Sequence, residues 1–129
     1  MTATATHPKP KVIVADDERA IADTLKTILD NFGYDTRVAY SGETAVELLR
    51  DFQPDMLISE VIMPGISGID AAIYARTTLP ACKVLLISGN MATADLLDAA
   101  RDQNHHFEVL AKPIHPTDLL NTMRSRMSA

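Results

Sequence analysis

The stretch from Pro54 to Gly68, PDMLISEVIMPGISG, constrains the fold of this chain more than any other, because it joins a buried apolar run to a carboxylate and then to a forced turn. Met56, Leu57 and Ile58 are apolar in succession, which suits a central parallel strand covered on both faces. Glu60 follows where such a run should surface. Pro64 and Gly65 end any strand, and Gly68 precedes another helical pattern. Glu60 is therefore expected at the carboxyl end of a strand, at the mouth of a loop, and in open α/β sheets that edge binds ligands.

The same grammar recurs along the chain. Val12 to Ala15 is a second continuous apolar run, and three acids, Asp16, Asp17 and Glu18, stand at its end. Ile21, Leu25, Ile28, Leu29 and Phe32 then fall on one helical face, with Gly33 as a left-handed stop. Tyr34 to Tyr40 alternates like an edge strand. Ser41 is a good N-cap for a helix burying Ala45, Leu48, Leu49 and Phe52. After the central strand, Ile69, Ala72 and Ile73 mark a shorter helix that should stop before Pro80. Val84 to Ile87 is a buried strand ending at Ser88 and Gly89, and Leu96, Leu97 and Ala100 belong to a helix opening near Asn90. Phe107 to Ala111 is the last strand and runs into Lys112 and Pro113. Pro116 then starts a helix carrying Leu119, Leu120, Met123 and Met127 inward.

Five strands alternating with five helices over short connections describe an α/β, doubly wound, five-stranded parallel sheet. Right-handed crossovers leave few topologies, and the flavodoxin-like order 2-1-3-4-5 places the edge-like second strand outside. Asp16 and Asp17, Glu60, Ser88 and Lys112 then converge on one edge from four separate segments. Carboxylates there suit a hard divalent cation, with Mg²⁺ keeping several waters. A hydroxyl and an ammonium beside them suit phosphoryl transfer, where catalysis is largely positioning and charge neutralisation. Taken singly, each of these residues is more often a helix cap or a solvated charge; their agreement at four strand ends carries the reading.

Composition bounds the rest. With 129 residues the chain has room for one domain that buries about two-thirds of its unfolded surface. The single cysteine, Cys82, cannot pair within the chain and reads as an inert thiol in a reducing, cytoplasmic setting. Neither a membrane span nor a signal peptide is expected. A net charge of −5 argues against general attraction to nucleic acid. Residues 1–10, rich in Thr, Ala and Pro, read as a disordered leader before a domain over residues 11–129. His105 and His106 read as solvated loop residues.

The chain resembles receiver domains of bacterial two-component response regulators, of the single-domain chemotaxis type. VIVADDE at Val12 to Glu18, the Pro54 to Gly68 stretch, LLISG at Leu85 to Gly89 and LAKP at Leu110 to Pro113 carry the resemblance, in order and spacing. It implies a signalling domain and not an enzyme, which takes a phosphoryl group from a histidine kinase or phosphotransfer protein with Mg²⁺. Its output would be a downstream protein met through the fourth helix, fifth strand and fifth helix. The resemblance further implies that Asp17 binds the metal directly, Asp16 through water and Ile62 through its carbonyl. Ser88 and Lys112 would hold phosphoryl oxygens, and the bond before Pro113 would be cis.

Two positions depart from that pattern. Glu60 stands where the family has the phosphoaccepting Asp, and Val109 where it usually has Tyr or Phe. A glutamate is one methylene longer, and displacing a nucleophile by roughly 1 Å can cost on the order of 10²-fold in rate. The same length moves a carboxylate toward Lys112, so Glu60 is expected either to block phosphorylation or to imitate the phosphorylated state in part. The alternatives are a receiver that still accepts phosphate and, more remotely, a metal-dependent phosphohydrolase in which Glu18, two residues beyond Asp16, supplies the second acid. A DNA-binding regulator is disfavoured, since the sheet and its helices use all 129 residues and output is expected by protein contact.

Overall fold

A computed structural model describes residues 8–89 and 93–127. Most of the expected leader and the expected helix start near Asn90 lie outside these residues. The elements in order are β1 (Lys11–Ala15), α1 (Arg19–Asn31), β2 (Asp35–Ala39), α2 (Gly42–Phe52), β3 (Met56–Glu60), α3 (Gly68–Thr78), β4 (Lys83–Ser88), α4 (Thr93–Asp102), β5 (Glu108–Ala111) and α5 (Pro116–Met127). All strand pairs are parallel, and the sheet order is β2-β1-β3-β4-β5, as the apolar runs and crossover rules predict.

The period-2 alternation of the strands divides the core into two layers. Val12, Val14, Met56, Ile58, Leu85 and Ile87 pack with Leu25 and Leu29 of α1 and with Leu119 and Met123 of α5. On the other face, Ile13, Ala15 and Leu57 meet Ala45 and Leu49 of α2 and Ala71 and Ala75 of α3. Val61, Ile69, Ala72, Leu86 and Ala100 join α3 to α4. Helix α3 thus buries two neighbouring stripes, one in each of these clusters, which explains why its sequence shows little one-sided periodicity.

Local signals set the helix ends. The Ser41 side chain accepts from the Thr44 N–H at 3.1 Å, as its N-cap position predicts, and Ser67 caps α3 in the same way through Asp70. Phe32 departs from expectation: it is 58% exposed and not part of the α1 core face. Regular helix stops at Asn31, and the turn into Gly33, at φ 95°, carries Phe32 off the buried stripe.

Gly68 fixes the approach of α3 to the sheet. Its N–H donates to the Val61 carbonyl at 2.8 Å, and a Cβ at this position would overlap the Glu60 carbonyl oxygen. The helix therefore seats directly over the end of β3. Because the obstruction is backbone and not a movable side chain, Gly68→Ala is expected to lower stability by about 1–3 kcal/mol. Urea unfolding followed by circular dichroism measures it, and an unchanged midpoint would show that α3 can retreat at no cost.

Candidate functional site

The sheet register explains which groups meet. Ala15 is abreast of Ser59, Glu60 of Ile87, and Ser88 of Ala111, so Asp16, Glu60, Ser88 and Lys112 sit on or one step beyond a single line across the strands. By alternation Asp16, Glu60 and Lys112 continue the rows that face α1 and α5, whereas Ser88 continues the row of Leu86 on the opposite face. The first three meet at one point. Lys112 Nζ lies 2.8 Å from Asp16 Oδ2, 2.8 Å from Glu60 Oε1 and 3.0 Å from Glu18 Oε1.

Each partner is held by backbone. The Asp16 N–H donates to the Ala39 carbonyl at 3.0 Å, extending the ladder from β1 to β2. Asp16 Oδ1 accepts from the Glu18 N–H at 2.9 Å, a side-chain turn of the kind aspartate favours. That turn passes over Asp17, which is exposed, and brings Glu18 back toward Lys112. The Lys112 N–H donates to the Ser88 carbonyl at 2.8 Å, tying the end of β5 to the end of β4. A Cβ at Gly89 would come within 3.1 Å of Lys112 Cδ, so glycine there leaves room for the lysine stem. The Lys112–Pro113 bond is cis.

Glu60 does not surface as its place after an apolar run suggests. It is 5% exposed, because α3 closes over its carbonyl and Lys112 covers its carboxylate. Its second oxygen, Oε2, accepts from the Val61 N–H at 2.8 Å. Ser88 is the half-buried last residue of β4, Ile62 is half-buried in the loop after β3, and Val109 packs within the α3–α4 side of the core. Asp55 is at the far end of the sheet, where it accepts from the Lys11 N–H. The Cys82 thiol is pushed up to about 11, chiefly by burial, which leaves it a neutral core group.

Burial raises the Asp16 carboxyl above its ordinary 3.8, and the Glu60 charge adds to the effect, while Lys112 and the Glu18 N–H oppose it. Burial would also lower Lys112, but its close contacts with the Asp16, Glu60 and Glu18 carboxylates outweigh it and the lysine is raised. It stays charged at all ordinary pH.

One carboxylate oxygen from each of Asp16, Glu18 and Glu60 lies within 4.8 Å of the others. Asp16 Oδ2 is fully buried and makes no hydrogen bond of good geometry, its one close partner being the lysine ammonium. An oxygen-rich set with such an atom fits a hard cation such as Mg²⁺. Asp17 is not part of that group. Glu18, named in the sequence only as one of three acids and as the second acid of the phosphohydrolase alternative, had no role in the metal set the resemblance implies. The signal for it was local: an Asp at a strand end whose side chain can capture the N–H two residues on.

A doubly wound sheet with an acidic pocket and a lysine at its carboxyl edge defines a class of α/β signalling domain. The chain belongs to the response regulator receiver domain family, whose sequence profile matches residues 12–124. Among curated relatives, it is 25% identical to the DNA-binding response regulator MtrA of Mycobacterium tuberculosis, over 92% of this chain and 51% of that protein. It is 29% identical to the response regulator MprA of Mycobacterium ulcerans, over 89% of this chain and 49% of that one. The chain thus spans about half the length of the curated relatives it matches. Among solved structures, a receiver domain of an HD domain-containing protein from Pseudomonas fluorescens superposes with a TM-score of 0.84 at 22% identity, covering 93% of this chain and 95% of that one. A receiver domain from Clostridium thermocellum gives 0.81 at 25% identity, over 92% and 94%. Among the described residues no helix is long and apolar enough to cross a membrane.

Removing the ammonium should strand buried carboxylates. Lys112→Met is expected to cost on the order of 3 kcal/mol at pH 7. The sign of the pH dependence follows from Asp16: an acid raised in the folded state favours folding below its ordinary pKa, and that contribution is lost as pH rises through the raised value. Without Lys112 the rise is larger, so the deficit of the variant should shrink as pH falls toward about 4. Denaturant midpoints across pH measure it; a deficit constant with pH would show that the loss comes from packing and not from charge.

Proposed function

We propose that this domain is a receiver of a two-component system in which Glu60, at the phosphoacceptor position, prevents ordinary phosphorylation and partly imitates the phosphorylated state. The observation that supports this most directly is the 2.8 Å contact between Glu60 Oε1 and Lys112 Nζ, in the place where the family's lysine would meet a phosphoryl oxygen. A nucleophile needs open access to the phosphorus at the right distance, and this carboxylate is buried, one methylene further out, ion-paired through one oxygen and hydrogen-bonded through the other.

The divalent cation, Mg²⁺, would be held by Asp16 and Glu60, with Glu18 or Asp17 and the Ile62 carbonyl completing the protein oxygens, and it would supply positive charge against the carboxylates and any phosphoryl oxygens. Ser88 would take a phosphoryl oxygen from the β4 side. Input would come from a histidine kinase or phosphotransfer protein, and output by protein contact through α4, β5 and α5, without nucleic acid.

Incubation with acetyl phosphate and Mg²⁺, followed by intact mass, separates this reading from a phosphorylation-competent receiver. No mass gain is expected for the chain itself, and gain of one phosphoryl group for Glu60→Asp. Phosphorylation of the unaltered chain would overturn the proposal. Partner affinity should also fall in Glu60→Ala, which keeps the pocket but removes its charge; equal affinity would remove the imitation from the account while leaving the block to phosphorylation in place.

A further inference from the structure

At the end of the sheet opposite Glu60, the starts of β4 and β5 border a cavity of about 520 Å³ lined in part by Arg76, Cys82, Lys83, Glu108 and Arg126. Three cations face one carboxylate there, in a chain whose net charge is −5. Glu108 is already committed to Arg126 through an ion pair to its guanidinium. Among the described residues, neither Arg76 nor Lys83 has a carboxylate within ion-pair distance or a side-chain hydrogen-bond acceptor. Asp55, whose charge reaches Cys82, accepts from the Lys11 N–H and does not line the cavity.

Arg76 is the most telling of these groups. It is half-buried in the last turn of α3, and its guanidinium carbon lies 4.0 Å from the centre of the Phe107 ring. Contact over the ring uses none of the five N–H donors of the guanidinium. A guanidinium held against a ring in this way suits bidentate capture of an oxyanion, and Lys83 adds a point charge. Cys82, neutral with its thiol at about 11, adds no repulsion.

We propose that this cavity is a second, anion-binding site of the domain, and that it takes an oligophosphate group of a small molecule. The formal excess of two positive charges matches a pyrophosphate-like dianion better than a single carboxylate. Its tetrahedral oxygens can meet the Arg76 fork and the Lys83 ammonium together. The volume lies within the range of small-molecule pockets, about 300–1,000 Å³. No residue of the Glu60 pocket takes part, so the site stands whether or not Glu60 accepts phosphate.

Titration of the full chain with sodium pyrophosphate at low ionic strength, with EDTA present and followed by amide chemical shifts, tests the assignment. The expected result is saturable perturbation at Cys82, Lys83, Val84 and Phe107, with a dissociation constant below about 1 mM. Arg76→Ala combined with Lys83→Ala should weaken it by about tenfold or more, and the exposed change Lys83→Glu alone should also weaken it, which keeps the test open if the double variant unfolds. No saturation by about 10 mM would overturn the proposal. So would perturbation centred on Ser88 and Lys112, unchanged affinity in a folded double variant, or tighter binding of an oligoglutamate peptide than of pyrophosphate.

Discussion

One ammonium organises the carboxyl edge of this sheet. Lysine offers three N–H donors and no acceptor, and around Lys112 Nζ there are three carboxylate oxygens at 2.8 to 3.0 Å, each from a different side chain. Its side chain is 11% exposed, against 0% for Asp16 and 7% for Glu60. Such a cluster is tolerated only because its members compensate one another, since burying any one charge alone would cost several kcal/mol. The arrangement is still lopsided, with three acids against one base. Burial is the main reason the Asp16 pKa is raised, with the neighbouring Glu60 charge adding to it, and the excess of carboxylate oxygen suits a further cation.

How the groups come to meet is a matter of parity and register, and both were legible in the sequence. The apolar runs beginning at Val12, Met56 and Val84 fix three central strands, and carboxylates or a hydroxyl at their ends follow directly. The final strand is a weaker signal, yet Lys112 and Pro113 mark its end. What pattern could not give is the path of a side chain after the strand stops. Asp16, Asp17 and Glu18 are indistinguishable as a run of acids, and only the hydrogen bond from the Glu18 N–H to Asp16 decides that Glu18 turns toward Lys112. Burial of Glu60 escaped for the same reason: it depends on α3 docking through Gly68, a tertiary contact between residues eight apart. Phe32 shows the converse limit, where helical spacing continued by one residue past the end of the helix.

Glu60 and Val109, the two positions that depart from the expected pattern, bear on one another. A phosphoryl group offers three oxygens and close to two charges, so it can engage the lysine, the cation and the β4 hydroxyl together. Glu60 offers two oxygens and one charge; Oε1 is on Lys112 and Oε2 on the Val61 N–H. On the proposed reading the imitation therefore acts on the β5 side and on the start of the β3–α3 loop, without a third oxygen directed at Ser88. In a receiver that switches through an aromatic near Lys112, the β4 side would be the missing half. Here that position is Val109, packed among Val61, Ile69, Leu86 and Ala100, with no ring to turn. The backbone bond from the Lys112 N–H to the Ser88 carbonyl continues the β4–β5 pairing to the edge of the pocket. A lysine held by glutamate and a strand pair without a rotating aromatic are thus mutually consistent. On the proposed reading each removes a moving part that the other would have required, and together they favour one state over alternation between two.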